Sequence, residues 1–307
     1  MVAEHLLTFL NKPVEDFSPA TGISDSEKIV YRIRIDYDEA ESGASIIDKI
    51  AEFAAAPGAG KVKELIIGAY DFQSSETTED IVNALVGLKE TFKELKALFI
   101  GDIIVEECEI SWIKQSDISP ILKAYPNLEH LQVRGGDGLA FSDCQHDHLK
   151  TLIIETGGLP PNVVKEVSAA HLPNLERLDL WLGSDNYGFE SKIEDFFPIL
   201  DGKKLPKLTH LGLMDSEIQD EIATAVCIAP ILQQLKVLDL SMGTLTDKGA
   251  AALLASDAIR KLDFLNLRRH YMSDEMINQM KTLGIRVNVD DQEKAEDEDY
   301  RYAEVTE

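Results

Sequence analysis

Apolar and polar positions fall into a short phrase, apolar-x-x-apolar-x-apolar, that returns down almost the whole chain. It reads Val30/Ile33/Ile35, Val62/Leu65/Ile67, Leu95/Leu98/Ile100, Leu128/Leu131/Val133 and Leu149/Leu152/Ile154. It continues as Leu175/Leu178/Leu180, Leu208/Leu211/Leu213, Leu235/Leu238/Leu240 and Leu262/Leu265/Leu267, with a degenerate last copy at Ile285/Val287/Val289. The nine full copies are spaced 32, 33, 33, 21, 26, 33, 27 and 27 residues apart, a mean of 29. The closing apolar-x-apolar alternates with period two, which predicts a short strand with one buried face. Between phrases the spacing turns helical, predicting helices over 46–56, 81–92, 163–170, 217–228, 247–255 and 274–280. Thr77, Ser216, Thr246 and Ser273 stand as capping residues near four of their starts. One such unit cannot bury its apolar edge alone, whereas stacked copies can. The expected fold is therefore α/β: a solenoid with a parallel sheet of about ten strands on its concave face and helices on its convex face.

The segment LKVLDLSMGTLTDKGAAALLAS, residues 235–256, resembles a leucine-rich repeat of the ribonuclease-inhibitor subtype, including its Leu245-Thr-Asp-Lys-Gly249 turn into the helix. From Leu175 to Asp290, WLGSDNYG, HLGLMDSEIQDE, LDLSMGTLTDKGA and the SDEM at Ser273 are similar to a poorly characterised family of bacterial cytoplasmic leucine-rich-repeat proteins. The resemblance implies a horseshoe fold and a cytoplasmic setting, and no established activity. Its competing implication is an accessory enzyme, catalytic or cofactor-handling, in a bacterial biosynthetic cluster. The chain departs from the repeat pattern at the ninth phrase position, where Asn or Cys usually bonds the turn backbone. Tyr70, Ile103, Gly136, Gly157, Gly183, Ser216, Gly243 and His270 stand there instead. The 21-residue copy from Leu128 to Leu149 also leaves no room for a helix after its strand. An irregular horseshoe is expected.

Three segments follow: a cap over 1–28 with a short amphipathic helix, a solenoid over 29–290, and an acidic, solvated tail over 291–307. Charge sharpens the picture. Thirty basic against 55 acidic residues give −25, which disfavours nucleic acid and anionic membranes as partners. Three widely spaced cysteines, Cys108, Cys144 and Cys227, and no signal-like N-terminus point to the cytoplasm.

Phrase positions three, five and seven should line the concave face. They hold six basic residues, Arg32, Arg34, Arg134, Arg177, Arg268 and Arg286, against six acids, Asp36, Glu64, Glu155, Asp179, Asp239 and Asp290. Among them stand Ile66, Ala97, Phe99, Ile153, Trp181, Met214, Val237 and Phe264. Apolar groups interspersed with arginine on an exposed face suit a protein partner. The candidate protein-binding residues are Phe99, Arg134, Arg177, Trp181, Tyr187, Met214, Asp239, Phe264, Arg268, Arg269, His270 and Tyr271. The densest constellation lies late, from Trp181 and Tyr187 through Met214 to the Arg268–Tyr271 run, because equivalent positions on stacked repeats are neighbours.

Enzyme-like signals are weak. Pro57-Gly-Ala-Gly-Lys61 resembles a phosphate loop but lacks the Ser/Thr and precedes a strand. Gly135-Gly-Asp-Gly138 follows a strand without opening a helix. Cys144, His146 and His148 are metal-ligand types, but no fourth ligand is legible, and no metal, cofactor or catalytic residue is expected. The expected role is a scaffold, adaptor or inhibitor for an unknown protein.

Overall fold

A computed structural model describes residues 2–70, 77–295 and 301–306. The chain divides into two compact units, residues 1–151 and 152–306. Residues 296–300 and 307 of the expected tail lie outside the described residues.

The first unit opens on an antiparallel hairpin, β1 (Thr8–Phe9) and β2 (Lys12–Asp16), where a helix was expected. Leu10 and Asn11 both take left-handed backbone, φ 50° and 65°, the two-residue turn whose twist matches a hairpin. Pro13 also lacks the amide a helix interior needs. β2 then pairs in parallel with β3 (Val30–Ile33), aligning Val14 with Val30. Strands β4 (Glu64–Gly68), β5 (Ala97–Asp102) and β6 (His130–Arg134) follow in parallel and in chain order. The register aligns Leu65, Leu98 and Leu131, so each phrase stacks the same residue on the next. All three are fully buried, each such side chain contributing about 1.5–3 kcal/mol. The helices of this unit are α1 (Tyr37–Glu41), α2 (Ile46–Ala55), α3 (Glu79–Gly87) and the short α4 (Ser119–Ala124). Residues 135–150 hold no helix, as the short repeat foretold.

The second unit carries β7 (Thr151–Glu155, its first residue on the boundary), β8 (Arg177–Gly183), β9 (His210–Ser216), β10 (Val237–Asp239), β11 (Phe264–Asn266) and β12 (Arg286–Asn288). From β8 to β12 the strands are parallel, and Leu178, Leu211, Leu238, Leu265 and Val287 align across them. The ten predicted phrases thus account for β3 to β12.

Helices α5 (Pro161–Ala169), α6 (Phe197–Leu200), α7 (Gln219–Ile228), α8 (Asp247–Ala255) and α9 (Asp274–Met280) complete the unit. Acids of one repeat bind the helix start of the next. Asp220 accepts from the Thr246 amide at 2.8 Å, the Thr246 hydroxyl at 2.6 Å and the Gly249 amide at 3.0 Å; Asp247 accepts from the Ser273 amide at 2.7 Å. Thr246 and Ser273 in turn cap α8 and α9, as expected.

At the ninth phrase position other side chains do the work of the missing asparagine. Ser216 Oγ accepts from the Ile218 amide at 3.1 Å. His270 Nδ1 accepts from the Met272 amide at 3.1 Å while its Nε2 meets the Val289 carbonyl at 3.1 Å. Gly243 leaves room for the Gln219 amide, which donates to the Leu213 carbonyl at 3.0 Å. Among the described residues no helix is long and apolar enough to cross a membrane.

Candidate functional site

In the first unit the chain covers its own sheet face. Phe9 stacks on Phe99 with ring centroids 6.4 Å apart and meets His130 edge-on at 5.1 Å. Phe9, Val30, Ile66, Ala97 and Phe99 form a buried cluster flanked by Leu6 and Val14. Beside it the charges close on one another. Arg32 donates to Asp16 at 2.6 Å and to Asp102 at 2.7 Å; Arg34 donates to Asp16 at 2.9 Å and to Glu107 at 2.7 Å. His5 reaches Asp102 at 3.7 Å and Glu107 at 3.2 Å. Those carboxylates raise the His5 imidazole to about 9. Burial pushes Asp102 up, but the His5 and Arg32 hydrogen bonds and the Arg134 charge outweigh it and hold its carboxyl below the usual range. Arg134 donates to the Ile103 carbonyl at 2.9 Å and lies 5.2 Å from the Phe99 ring.

Phe99 and Arg134, expected at the surface, are therefore buried. Ile66 and Ala97 are buried in the same cluster, and Ile153 of the second unit is buried too. The repeat phrase is blind to this cover, because His5, Leu6 and Phe9 lie outside every repeat. Its trace in the sequence is the run of large apolar groups at face positions, which need something to shield them.

The sheet face of the second unit is more open. One row across it holds Arg177, His210, Val237, Phe264 and Arg286 in register. The next holds Asp179, Gly212, Asp239, Asn266 and Asn288. Arg177 and Arg286 are exposed, and His210, Val237, Phe264, Asp239, Asn266 and Asn288 half-buried. The Arg286 guanidinium lies over the Phe264 ring at 4.2 Å, a cation–π contact. Asp239 accepts from Asn266 at 2.8 Å and from the Ser241 hydroxyl at 2.6 Å. Asp179 is buried between Arg177, at 2.8 and 2.5 Å, and His210, at 3.1 Å. Burial pushes its carboxyl up, but the His210 hydrogen bond and the Arg177 charge hold it below the usual range. Trp181 and Met214 pair in the third row, both half-buried, and Tyr187 sits half-buried in the short turn Asp185–Tyr187.

The strand exits of this unit are where the predicted late constellation meets a surprise. Asp215, Met242 and Arg269 recur every 27 residues, all in left-handed backbone at φ 55°, 70° and 59°. Residues 301–306 come back across them. The Val305 amide donates to Asp215 Oδ1 at 2.9 Å, and the Glu304 amide to the Met242 carbonyl at 2.8 Å. Arg268 pairs with Glu304 and, at 2.7 Å, with Asp291. Arg269 donates to the Tyr302 carbonyl, and the Tyr271 hydroxyl touches the Tyr302 amide at 3.1 Å and carbonyl at 3.2 Å. Ala303 and Val305 are buried. The expectation of a solvated tail is overturned for these six residues, because two apolar side chains inside an acidic stretch find a place to bury.

His270, placed among the binding residues, is buried; it closes the turn described above instead. His146 repeats that device: its Nδ1 accepts from the His148 amide at 3.1 Å and its Nε2 meets the Tyr125 carbonyl at 3.0 Å. Burial lowers both imidazoles, favouring the neutral ring these contacts need. Among the described residues no group of three His, Cys, Asp or Glu side chains is placed to hold a metal.

A leucine-rich-repeat family model matches residues 204–227 and 233–254, the repeats that hold β9 with α7 and β10 with α8. The chain is similar to the crystal structure of a Bacteroides fragilis protein, a structural-genomics target. Identity is 36% and the TM-score 0.84, over 90% of this chain and 77% of that one. It is also similar, at 14% identity and a TM-score of 0.41, to an internalin from Listeria monocytogenes, over 80% of this chain and 57% of that one. No curated protein matches.

Proposed function

This chain belongs to the leucine-rich-repeat proteins, and from that premise we propose that it is a non-catalytic, cytoplasmic scaffold, adaptor or inhibitor that seats a protein partner on the sheet face of its second unit. The observation that carries the reading is the row Arg177, His210, Val237, Phe264 and Arg286. Two arginines there flank a histidine and two apolar side chains, and no terminal segment of the described residues covers them as one covers the face of the first unit. Five strands spaced about 4.8 Å apart span roughly 20 Å, room for a strand, a helix or a loop of a folded protein. Aromatic and arginine side chains on such a surface are the usual anchors of binding energy. The odd cysteine count supports the cytoplasmic setting.

Affinity capture tests it. Arg286→Glu and Phe264→Ala should each weaken partner retention by about 1–3 kcal/mol with the melting curve little changed. Glu221→Ala on α7 is the control and should leave retention intact. Full retention by both sheet-face variants, or loss by the α7 control alone, sinks the assignment of the partner to this face.

A further inference from the structure

The contact between residues 301–306 and the exits of β9, β10 and β11 has the chemistry of a peptide complex. Both main-chain and side-chain groups of the segment are read: two consecutive amides find acceptors on successive repeats, and one carboxylate finds an arginine. The left-handed backbone at Asp215, Met242 and Arg269 builds these acceptors and donors into a row, since it recurs at one position of three repeats. Two neighbouring arginines, Arg268 and Arg269, make the row basic on a chain whose net charge is −25. The hold is modest in apolar terms, since only Ala303 and Val305 are buried, while Tyr302 is 56% exposed. Asp215 Oδ2 is buried without a hydrogen-bond partner, so the seat is imperfectly filled by its present occupant. Arg268 also belongs to the repeat that places Phe264 and Asn266 on the open sheet face, which makes the exit row continuous with that face.

We propose that the exits at Asp215, Met242 and Arg268–Arg269 form a groove for an acidic peptide, and that the chain's own residues 301–306 fill it until such a segment of the partner displaces them. The ligand has a small residue, a glutamate and an aliphatic residue in succession, as Ala303, Glu304 and Val305 do. The glutamate meets Arg268, the aliphatic residue buries beside Asp215, and the main chain satisfies Met242. The inference rests on the protein-binding reading and gives the partner its recognition chemistry: an exposed acidic segment rather than a basic one.

The test uses the full chain and a fluorescent peptide with the sequence of residues 301–307, Arg-Tyr-Ala-Glu-Val-Thr-Glu. Ala303→Asp with Val305→Asp in the chain should release the segment, and the peptide should then bind at least tenfold more tightly than to the wild type. Arg268→Glu added to the released chain should return binding to the wild-type level, and a peptide carrying Glu304→Lys should restore it on that background. If the double variant fails to fold, Glu304→Arg alone breaks the Arg268 pair without placing charge in the buried seats, and the same tenfold gain is expected. Equal binding to released and wild-type chains, or none to either, overturns the proposal. So does a concentration-dependent wild-type dimer in which the segment of a second copy fills the groove. The peptide is read with no partner present. Its failure therefore leaves the sheet-face reading standing, whereas full retention by Arg286→Glu and Phe264→Ala would sink that reading with the peptide result unchanged.

Discussion

The carboxylate of Asp215 accepts the amide hydrogen of Val305, 2.9 Å away and 90 residues further along the chain. Burial pushes that carboxyl up to about 8, against hydrogen bonds from the Val305 and Glu304 amides; the Glu304 carboxylate adds to the rise and Arg269 opposes it. In an unfolded chain the group titrates near 4. Between about pH 4 and 8 the folded state therefore holds a proton the unfolded state has lost. The stability this contributes is full below pH 4 and disappears as pH rises through 8, with a slope of at most about 1.4 kcal/mol per pH unit. Asp215→Asn keeps the acceptor and removes the charge. The wild-type melting temperature should fall between pH 6 and pH 9, and the fall should shrink in the variant. Identical slopes would show that Asp215 is ionised in the folded protein.

His5 adds a second alkaline loss from the other half of the chain. Its imidazole is raised to about 9 by the carboxylates of Asp102 and Glu107. Stability from this pairing is full below the unfolded value of about 6.5 and is lost as pH rises through 9. His5→Gln keeps a donor without the charge. In the Asp215→Asn background it should remove most of the remaining fall in melting temperature between pH 7 and 9. An unchanged fall would place the titrating group elsewhere.

Phe9 is the apolar half of the same N-terminal cover. It is buried against Phe99 and His130, so Phe9→Ala opens a cavity and uncovers the face beneath. A loss of about 3–5 kcal/mol is expected by chemical denaturation, with new binding of a hydrophobic dye to the folded protein. A change under 1 kcal/mol would mean that the hairpin detaches at little cost.

How much of this was legible follows from what a repeat can encode. Leu178, Leu211, Leu238 and Leu265 announce their strands because each must meet its neighbour in one layer, and the spacing of 27 to 33 residues survives any change at the surface. α8 and α9 fall on the predicted residues because Thr246 and Ser273 fix their starts. α3 starts two residues early and ends five residues short of its expected span, since residues 88–96 turn back before β5 instead of extending the helix. The ends were not legible, for a different reason. His5, Phe9, Ala303 and Val305 act through long-range contacts with no period, and four residues outside a pattern carry no signal of where they dock. The buried state of Phe99 and Arg134 followed from that unseen cover. Arg177 and Phe264, with no terminal segment of the described residues over them, stayed where the alternation put them.

Gly212 offers the sharpest separation of fold from surface. It stands in the face row between Asp179 and Asp239, where a Cβ would sit 2.6 Å from Asp179 Oδ1 and 3.1 Å from the Met214 sulfur. The position is a strand with no left-handed requirement, so the glycine is there for space, not for backbone freedom. Gly212→Ala must move the buried carboxylate, and with it the clamp in which Arg177 bonds one oxygen and His210 approaches the other. The expected cost is about 1–3 kcal/mol, as for other added methyl groups in packed sites. Asp179→Asn in the alanine background should recover part of it, since a neutral side chain tolerates displacement better than a charge. Partner retention should fall further than Glu221→Ala allows, because Arg177 is reoriented while the leucine layer beneath is untouched. If Gly212→Ala melts like the wild type and retains the partner fully, the Asp179 clamp is looser than its 2.5–3.1 Å contacts imply, and the row does not act as a fixed surface.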